Sequence, residues 1–184
     1  MTDRKFLKLV QWRIAGLLPP SAFRNLGPAG TKARTKLFLA NPRLLGSFAN
    51  AQDERGFRTI LNRKTIELRR ILSDINGAER SVAWGAARKF LNIFLFESAM
   101  NVHLSKQYEL TKLEPWLEVP LDKSVGSSLD KEPENAASAT VLRWGNIIGL
   151  NQATSHQYQE LAKAVAKREN IHRFQLDLLY YGMR

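Results

Sequence analysis

Two residues of this sequence, Lys89 and Asp122, stand where their side chains could do chemistry. Apolar residues in the segment 84–102 point in nearly every direction around a helix, which predicts a buried central helix. One side of this helix is not apolar. It carries Gly85, Lys89 and Asn92, which follow at spacings of four and three and so lie on the same side. A lysine there either extends its amine to the surface or lines a pocket, where the amine can act as a nucleophile.

Asp122 closes the run Val119-Pro120-Leu121-Asp122. The residue before a proline favours extended backbone, and aspartate is a preferred helix N-cap. The run therefore predicts an extended chain that begins a helix at Asp122. Capping alone would explain the aspartate, but a carboxylate can also act as a general base or stabilise a positive charge in a transition state.

Together, the segments Trp84-Gly85-Ala86-Ala87-Arg88-Lys89 and Val119-Pro120-Leu121-Asp122 resemble the motif of the helix-hairpin-helix DNA glycosylase superfamily. In that motif a hairpin leads to a catalytic lysine, a buried helix follows, and a Val-Pro-Val-Asp turn supplies an aspartate. Lys89 and Asp122 are 33 positions apart, which is more similar to the archaeal 8-oxoguanine glycosylases than to most members. The sequence departs from the motif at residues 76–81, where the usual glycine-rich hairpin is absent, and it lacks the four-cysteine cluster site of some relatives.

The resemblance implies an enzyme that flips a base out of double-stranded DNA and cleaves its N-glycosidic bond. Lys89 would attack C1′ of the sugar and form a Schiff base, which adds a strand-nicking lyase step, while Asp122 would stabilise the oxocarbenium-like sugar and activate the nucleophile. Without Lys89 in that role, water would be the nucleophile. The implied substrates are an oxidised purine such as 8-oxoguanine, or a hypermodified phage base such as glucosylated hydroxymethylcytosine. No cofactor and no metal are implied.

A flipped base needs a pocket with apolar or aromatic walls. Each aromatic candidate is better explained as a core residue than as a pocket wall, because large aromatic side chains dominate protein cores. The predicted pocket residues are Trp84, Gly85, Asn92, Phe94, Trp116 and Trp144.

The charge of the chain predicts a polyanionic partner. The formal net charge is +11, and residues 1–50 alone carry 9 basic and 1 acidic side chain. Lysine and arginine contacts to phosphates release counterions from DNA, which gives a basic surface affinity for it. The predicted backbone contacts are Arg58, Arg63, Lys64, Arg69, Arg70, Arg88 and Lys123.

Helical spacing and the absence of regular polar/apolar alternation predict an all-α fold. Phe57, Leu61, Leu68, Leu72 and Ile75 form one apolar stripe. We expect a single all-helical domain over 1–184, a bundle of two packed subdomains. Residues 1–56 with 130–184 would form one lobe, and residues 57–129, with the lysine and aspartate, the other.

We expect a monomer in a prokaryotic cytoplasm, associated with the nucleoid and not with a membrane. No segment reaches the roughly 20 apolar residues of a membrane span, there is no cysteine, and the three histidines lack the spacing of a zinc hydrolase.

Two other functions fit parts of the sequence. A non-catalytic helical protein that binds DNA or RNA would use the same basic surface and need no pocket. A peripheral membrane protein would lay its N-terminal helix on anionic lipid through Phe6, Leu9, Val10, Ile14 and Leu17.

Overall fold

A computed structural model describes residues 3–18, 23, 30–73, 84–138 and 140–182. These residues form helices and connecting segments without a strand, which confirms the all-α prediction. The helices are α1 (Asp3–Ala15), α2 (Thr31–Leu39), α3 (Pro42–Ala49), α4 (Glu54–Ser73), α5 (Trp84–Met100), α6 (Val102–Tyr108), α7 (Lys123–Leu129), α8 (Pro133–Ala136), α9 (Gln152–Arg168) and α10 (Leu176–Gly182), with 3₁₀ helices at Leu110–Trp116 and Arg173–Gln175.

The apolar stripe of α4 faces the core as predicted. Phe57, Leu61, Leu68 and Leu72 are buried, while Ile75 lies outside the described residues. The predicted central helix is α5, which buries most of its side chains. It ends at Met100, and the Asn101 side chain then accepts hydrogen bonds from the first amides of α6.

The buried apolar residues fall into two clusters. The first is built from α1 to α6 and the 3₁₀ helix Leu110–Trp116, and it also takes Phe174 from the C-terminal part of the chain. The second is built from Val119, Leu121 and helices α7, α9 and α10, and it takes Trp84 from the start of α5. This division differs from the predicted lobes, because residues before 57 share a core with α4 and α5 and not with the C-terminal helices.

Helix α1 turns its apolar side toward the first core. Ile14 and Ala15 are buried there, with Val10 packed against the same cluster. The predicted membrane face of Phe6, Leu9, Val10, Ile14 and Leu17 therefore does not exist as one exposed surface, although Leu9 and Leu17 are exposed. Among the helices that the structure describes, none combines the length and the apolar character needed to cross a bilayer.

Candidate functional site

Lys89 and Asp122 meet in space. The Lys89 amine donates to Oδ2 of Asp122 across 3.1 Å. The lysine side chain is 15% exposed and the aspartate side chain 35% exposed, so the pair is sheltered but open to solvent on one side. The structure therefore brings together the two residues predicted to form a catalytic pair.

The start of α7 holds the Asp122 carboxylate. Its backbone is extended, and its Oδ1 accepts hydrogen bonds from the amides of Ser124 at 2.8 Å and Val125 at 3.1 Å. This confirms the predicted N-cap. Because Oδ1 caps the helix, Oδ2 is left to face Lys89.

Two side chains from distant parts of the sequence fix the segment that leads to Asp122. Gln159 of α9 is buried; its Oε1 accepts from the Val119 amide, and its Nε2 donates to the Val119 carbonyl. Arg173 donates to the carbonyls of Leu117 and Trp116. The carboxylate thus stands at the end of a chain whose backbone polar groups are tied to buried side chains, which restricts its movement.

A buried ionic network lies behind Lys89. Arg88 donates to Glu118 at 2.9 Å and to Asn62 and Thr65 of α4. Desolvation lowers the pKa of Arg88, and the Glu118 carboxylate opposes that shift. Arg88 is only 4% exposed, which contradicts the prediction that it contacts the DNA backbone. Its guanidinium instead joins α4, α5 and the segment before Asp122.

Asn92 lies one turn after Lys89 on the same side of α5 and is also buried. Its amide nitrogen donates to Glu118 at 3.2 Å. Its Oδ1 has no hydrogen-bond partner within the described part of the chain. A buried acceptor without a partner costs about 1 to 3 kcal/mol, and because this oxygen is itself closed to solvent, it does not line an open pocket.

Asp177 is a site residue that sequence reasoning missed. It lies in the first turn of α10, which packs against α7. Burial raises the pKa of Asp177 to about 6; the charges of Asp122 and Glu97 raise it further, and Lys89 opposes them. The site therefore holds a second carboxylate that can keep a proton in mildly acidic solution. His172 lies five positions from Asp177, which is not a same-face spacing on a helix, so this spacing gave no sign of a site.

The predicted pocket residues do not form one wall. Phe94 is buried in the first core, and Trp116 packs against that core beside Phe57. Trp84 is buried in the second cluster, with the Arg88 guanidinium 4.9 Å from its ring centroid.

Gly85 leaves no open space on α5. A Cβ at Gly85 would lie 2.5 Å from the Ile147 carbonyl oxygen and 2.7 Å from the Leu150 Cβ. The glycine is therefore needed for close packing of α5 against the segment 147–150, and not for a ligand.

Trp144 is the predicted aromatic residue that lies beside α7. Its ring occupies the space where Gly126 would carry a Cβ, and it makes an edge contact with the Tyr158 ring. Asp130 holds both residues, accepting from the Trp144 amide and the Tyr158 hydroxyl at 2.6 Å. Trp144 is half-buried, and its indole nitrogen is buried without a hydrogen-bond partner in the described part of the chain.

The predicted DNA-contacting residues of α4 are partly neutralised within the protein. Arg58 pairs with Glu54 and Glu160, and Lys64 and Arg63 pair with Glu67. Arg69 is half-buried, Arg70 is exposed, and Lys123 is exposed at the first position of α7, next to Asp122. The uncompensated positive charge on the basic side of α4 is thus smaller than its sequence indicates.

No protein-family model, curated protein or solved structure matches this chain. Within the described ranges, no group of three or more histidine, aspartate or glutamate side chains is arranged to hold a metal ion. The function of the chain is therefore inferred from its own residues and their geometry.

Proposed function

We propose that this protein is a DNA glycosylase of the helix-hairpin-helix type that excises a damaged or modified base from double-stranded DNA. The observation that carries the proposal is the 3.1 Å contact between Lys89 and Asp122, which are separated by 33 positions in the sequence. The motif predicted both residues and their order, and the local sequence predicted that Asp122 caps α7. Residues 76–81, where the glycine-rich hairpin of the motif is absent from the sequence, lie outside the described residues.

The proposed reaction uses the pair in two steps. Asp122 accepts the proton that the Lys89 ammonium must lose before its amine can attack. The amine then forms a bond to C1′ of the sugar while the bond from C1′ to the base breaks, and the base leaves with that electron pair and takes up a proton. Asp122 passes the proton it took from Lys89 to the departing base and so regains its charge, and the carboxylates of Asp122 and Asp177 then stabilise the positive charge that develops on the sugar.

Opening of the sugar ring then leaves a protonated Schiff base on Lys89. This intermediate supports the lyase step, in which the strand is cut by elimination of the 3′ phosphate. The substrate class is an oxidised purine or a hypermodified cytosine such as the glucosylated hydroxymethyl form, which would give the protein a role in repair or in defence against phage.

A borohydride trapping experiment tests the proposal directly. The protein is incubated with duplexes that carry 8-oxoguanine or glucosylated hydroxymethylcytosine, and borohydride reduces any Schiff base to a stable adduct. We expect an adduct with the wild type and none with Lys89→Gln, while Lys131→Gln, which removes an exposed lysine, still traps. A wild type that neither traps nor releases a base from either duplex refutes the proposal.

Asp122→Asn separates the chemical role from the structural one. Asparagine is also a good N-cap, so the loss of stability should be at most about 1 kcal/mol, while base release should fall to background. Circular dichroism and a base-release assay measure the two effects. Full base release by this variant would exclude the aspartate from the reaction.

The non-catalytic nucleic-acid-binding protein remains the second candidate function. The close packing at Gly85 and the burial of Phe94 favour it, because both fill space that a base pocket would need. It predicts DNA binding without a trapped adduct, so the same borohydride experiment distinguishes the two functions.

A further inference from the structure

Helices α1 and α2 together present a row of lysines around an exposed tryptophan. Lys5, Lys8 and Trp12 follow at spacings of three and four and so share one side of α1, and Lys32 and Lys36 share one side of α2. The two rows are neighbours, because the Lys36 amine lies 4.1 Å from the centroid of the Trp12 ring. We call these five residues the α1–α2 lysine face.

The positive charge of this face is not neutralised by the protein. Lys5, Lys8 and Lys32 are exposed, and Trp12 is 42% exposed. None of the four lysines forms an ion pair with a carboxylate in the described ranges, in contrast to Lys64 of α4, whose amine lies 2.7 Å from Glu67. Asp3 is the single acidic residue among the first fifty. The uncompensated positive charge of the N-terminal half is therefore concentrated on α1 and α2.

We propose that the α1–α2 lysine face binds the phosphate backbone of double-stranded DNA. The choice of DNA among polyanions rests on the proposed glycosylase function. Unpaired, exposed lysines are the groups that release counterions on contact with phosphates, and they position a protein on a duplex without reading its sequence. The α4 cations that sequence reasoning selected contribute less, because glutamates already hold several of them.

An anionic lipid surface fits this face less well. A helix that lies in a membrane interface buries an apolar side in the lipid. The apolar side of α1, with Ile14 and Ala15, is instead buried in the first core. The exposed side of α1 carries mainly cationic side chains, and the Lys36 amine covers the Trp12 ring.

The α1–α2 lysine face and the candidate site are connected through α5. Both α1 and α2 contact α5, which carries Lys89. Helix α5 has 17 residues and is therefore about 25 Å long. One turn of B-DNA spans about 34 Å, so the length of α5 alone does not separate the two along one duplex.

The test compares two triple variants that remove the same charge. Lys5→Gln/Lys8→Gln/Lys32→Gln changes the face, and Lys131→Gln/Arg143→Gln/Lys167→Gln changes exposed cations of the C-terminal half. Fluorescence anisotropy measures the affinity of each full-length protein for an unmodified duplex of about 20 base pairs over roughly 50 to 200 mM salt. Thermal melts confirm that each variant is folded.

The steepness of log affinity against log salt reflects the number of phosphate contacts. We expect the magnitude of this slope to be smaller by about three in the face variant, which is about one for each lysine removed. Its affinity should fall by at least about tenfold, and the control variant should keep a slope close to that of the wild type. Equal losses in the two variants, or no loss in the face variant, overturn the proposal. Loss of binding to phosphatidylserine vesicles with unchanged DNA binding also overturns it, in favour of a lipid partner.

Base release is measured separately on a modified duplex. If the face variant alone loses DNA binding and the wild type releases no base, the face stands as a DNA surface and the glycosylase proposal fails. If the wild type releases the base and both triple variants bind DNA equally well, only the assignment of the face fails.

Discussion

At the scale of single residues, Asp122 shows how one side chain can cap a helix and contact a distant charged group at once. Its Oδ1 caps α7 and its Oδ2 contacts the Lys89 amine. The cap could be predicted from the sequence, because proline and aspartate act on the backbone within a few positions. That Oδ2 faces a lysine 33 positions away depends on tertiary packing, and only the resemblance to a known motif indicated it.

The raised pKa of Asp177 predicts how the stability of the protein depends on pH. Its pKa is raised from 3.8 to about 6, so between these pH values the folded protein holds a proton that the unfolded chain has lost. Stability therefore falls as pH rises from about 4 to about 6, and the loss persists above that range. Asparagine cannot ionise, so Asp177→Asn should be more stable than the wild type at pH 7 by about 1 to 2 kcal/mol, a value reduced for partial exposure.

Urea unfolding at pH 4 and pH 7 measures this effect. The difference between Asp177→Asn and the wild type should be present at pH 7 and nearly vanish at pH 4. Asp3→Asn removes an aspartate at an exposed position of α1 and is measured in parallel as the control. An equal offset at both pH values would mean that ionisation of Asp177 does not act on stability.

At the scale of elements, α5 is fixed by contacts on several sides. Arg88 connects it to α4 and to Glu118, and Gly85 lets the segment 147–150 approach its first turn. Periodicity predicted α5 as a buried helix, because burial on all sides requires apolar residues on all sides. It could not predict what fills the space at Gly85 or that Arg88 is buried, since both depend on segments more than 20 positions away.

Gly85→Ala tests the packing of α5. The new Cβ would overlap the Ile147 carbonyl oxygen, which belongs to the backbone and cannot turn aside. We expect a loss of about 1 to 3 kcal/mol in the free energy of unfolding, the usual range for overpacking. Chemical denaturation measures it.

Gly46→Ala in α3 is the matched control, because a Cβ there meets no atom within 4 Å. Alanine is favoured over glycine inside a helix, so this variant should gain about 0.5 to 1 kcal/mol. If Gly85→Ala were stabilising to the same extent, the first turn of α5 would have free space, and the base pocket predicted at Gly85 would regain support.

At the scale of the whole molecule, each core contains a side chain from the part of the chain that builds the other core. Phe174, from the C-terminal part of the chain, is buried in the first core, and Trp84, from α5, is buried in the second. The predicted lobes differed from these cores because local periodicity identifies which face of a helix is buried and does not identify its partner. Since each core needs a side chain from the other part of the chain, we expect the molecule to unfold as one unit.

Phe174→Ala tests whether the cores are coupled. Truncation of a fully buried phenylalanine should cost about 3 to 5 kcal/mol, while Leu178→Ala, at a position that is 57% exposed, should change stability by less than about 0.5 kcal/mol. Amide hydrogen exchange then reports on α4 in the first core and α9 in the second. If the cores unfold together, Phe174→Ala lowers the protection of both helices by the same free energy. A loss of protection confined to α4 would show that the second core is stable without the first, and the candidate site between α5 and α7 would then open when the first core unfolds.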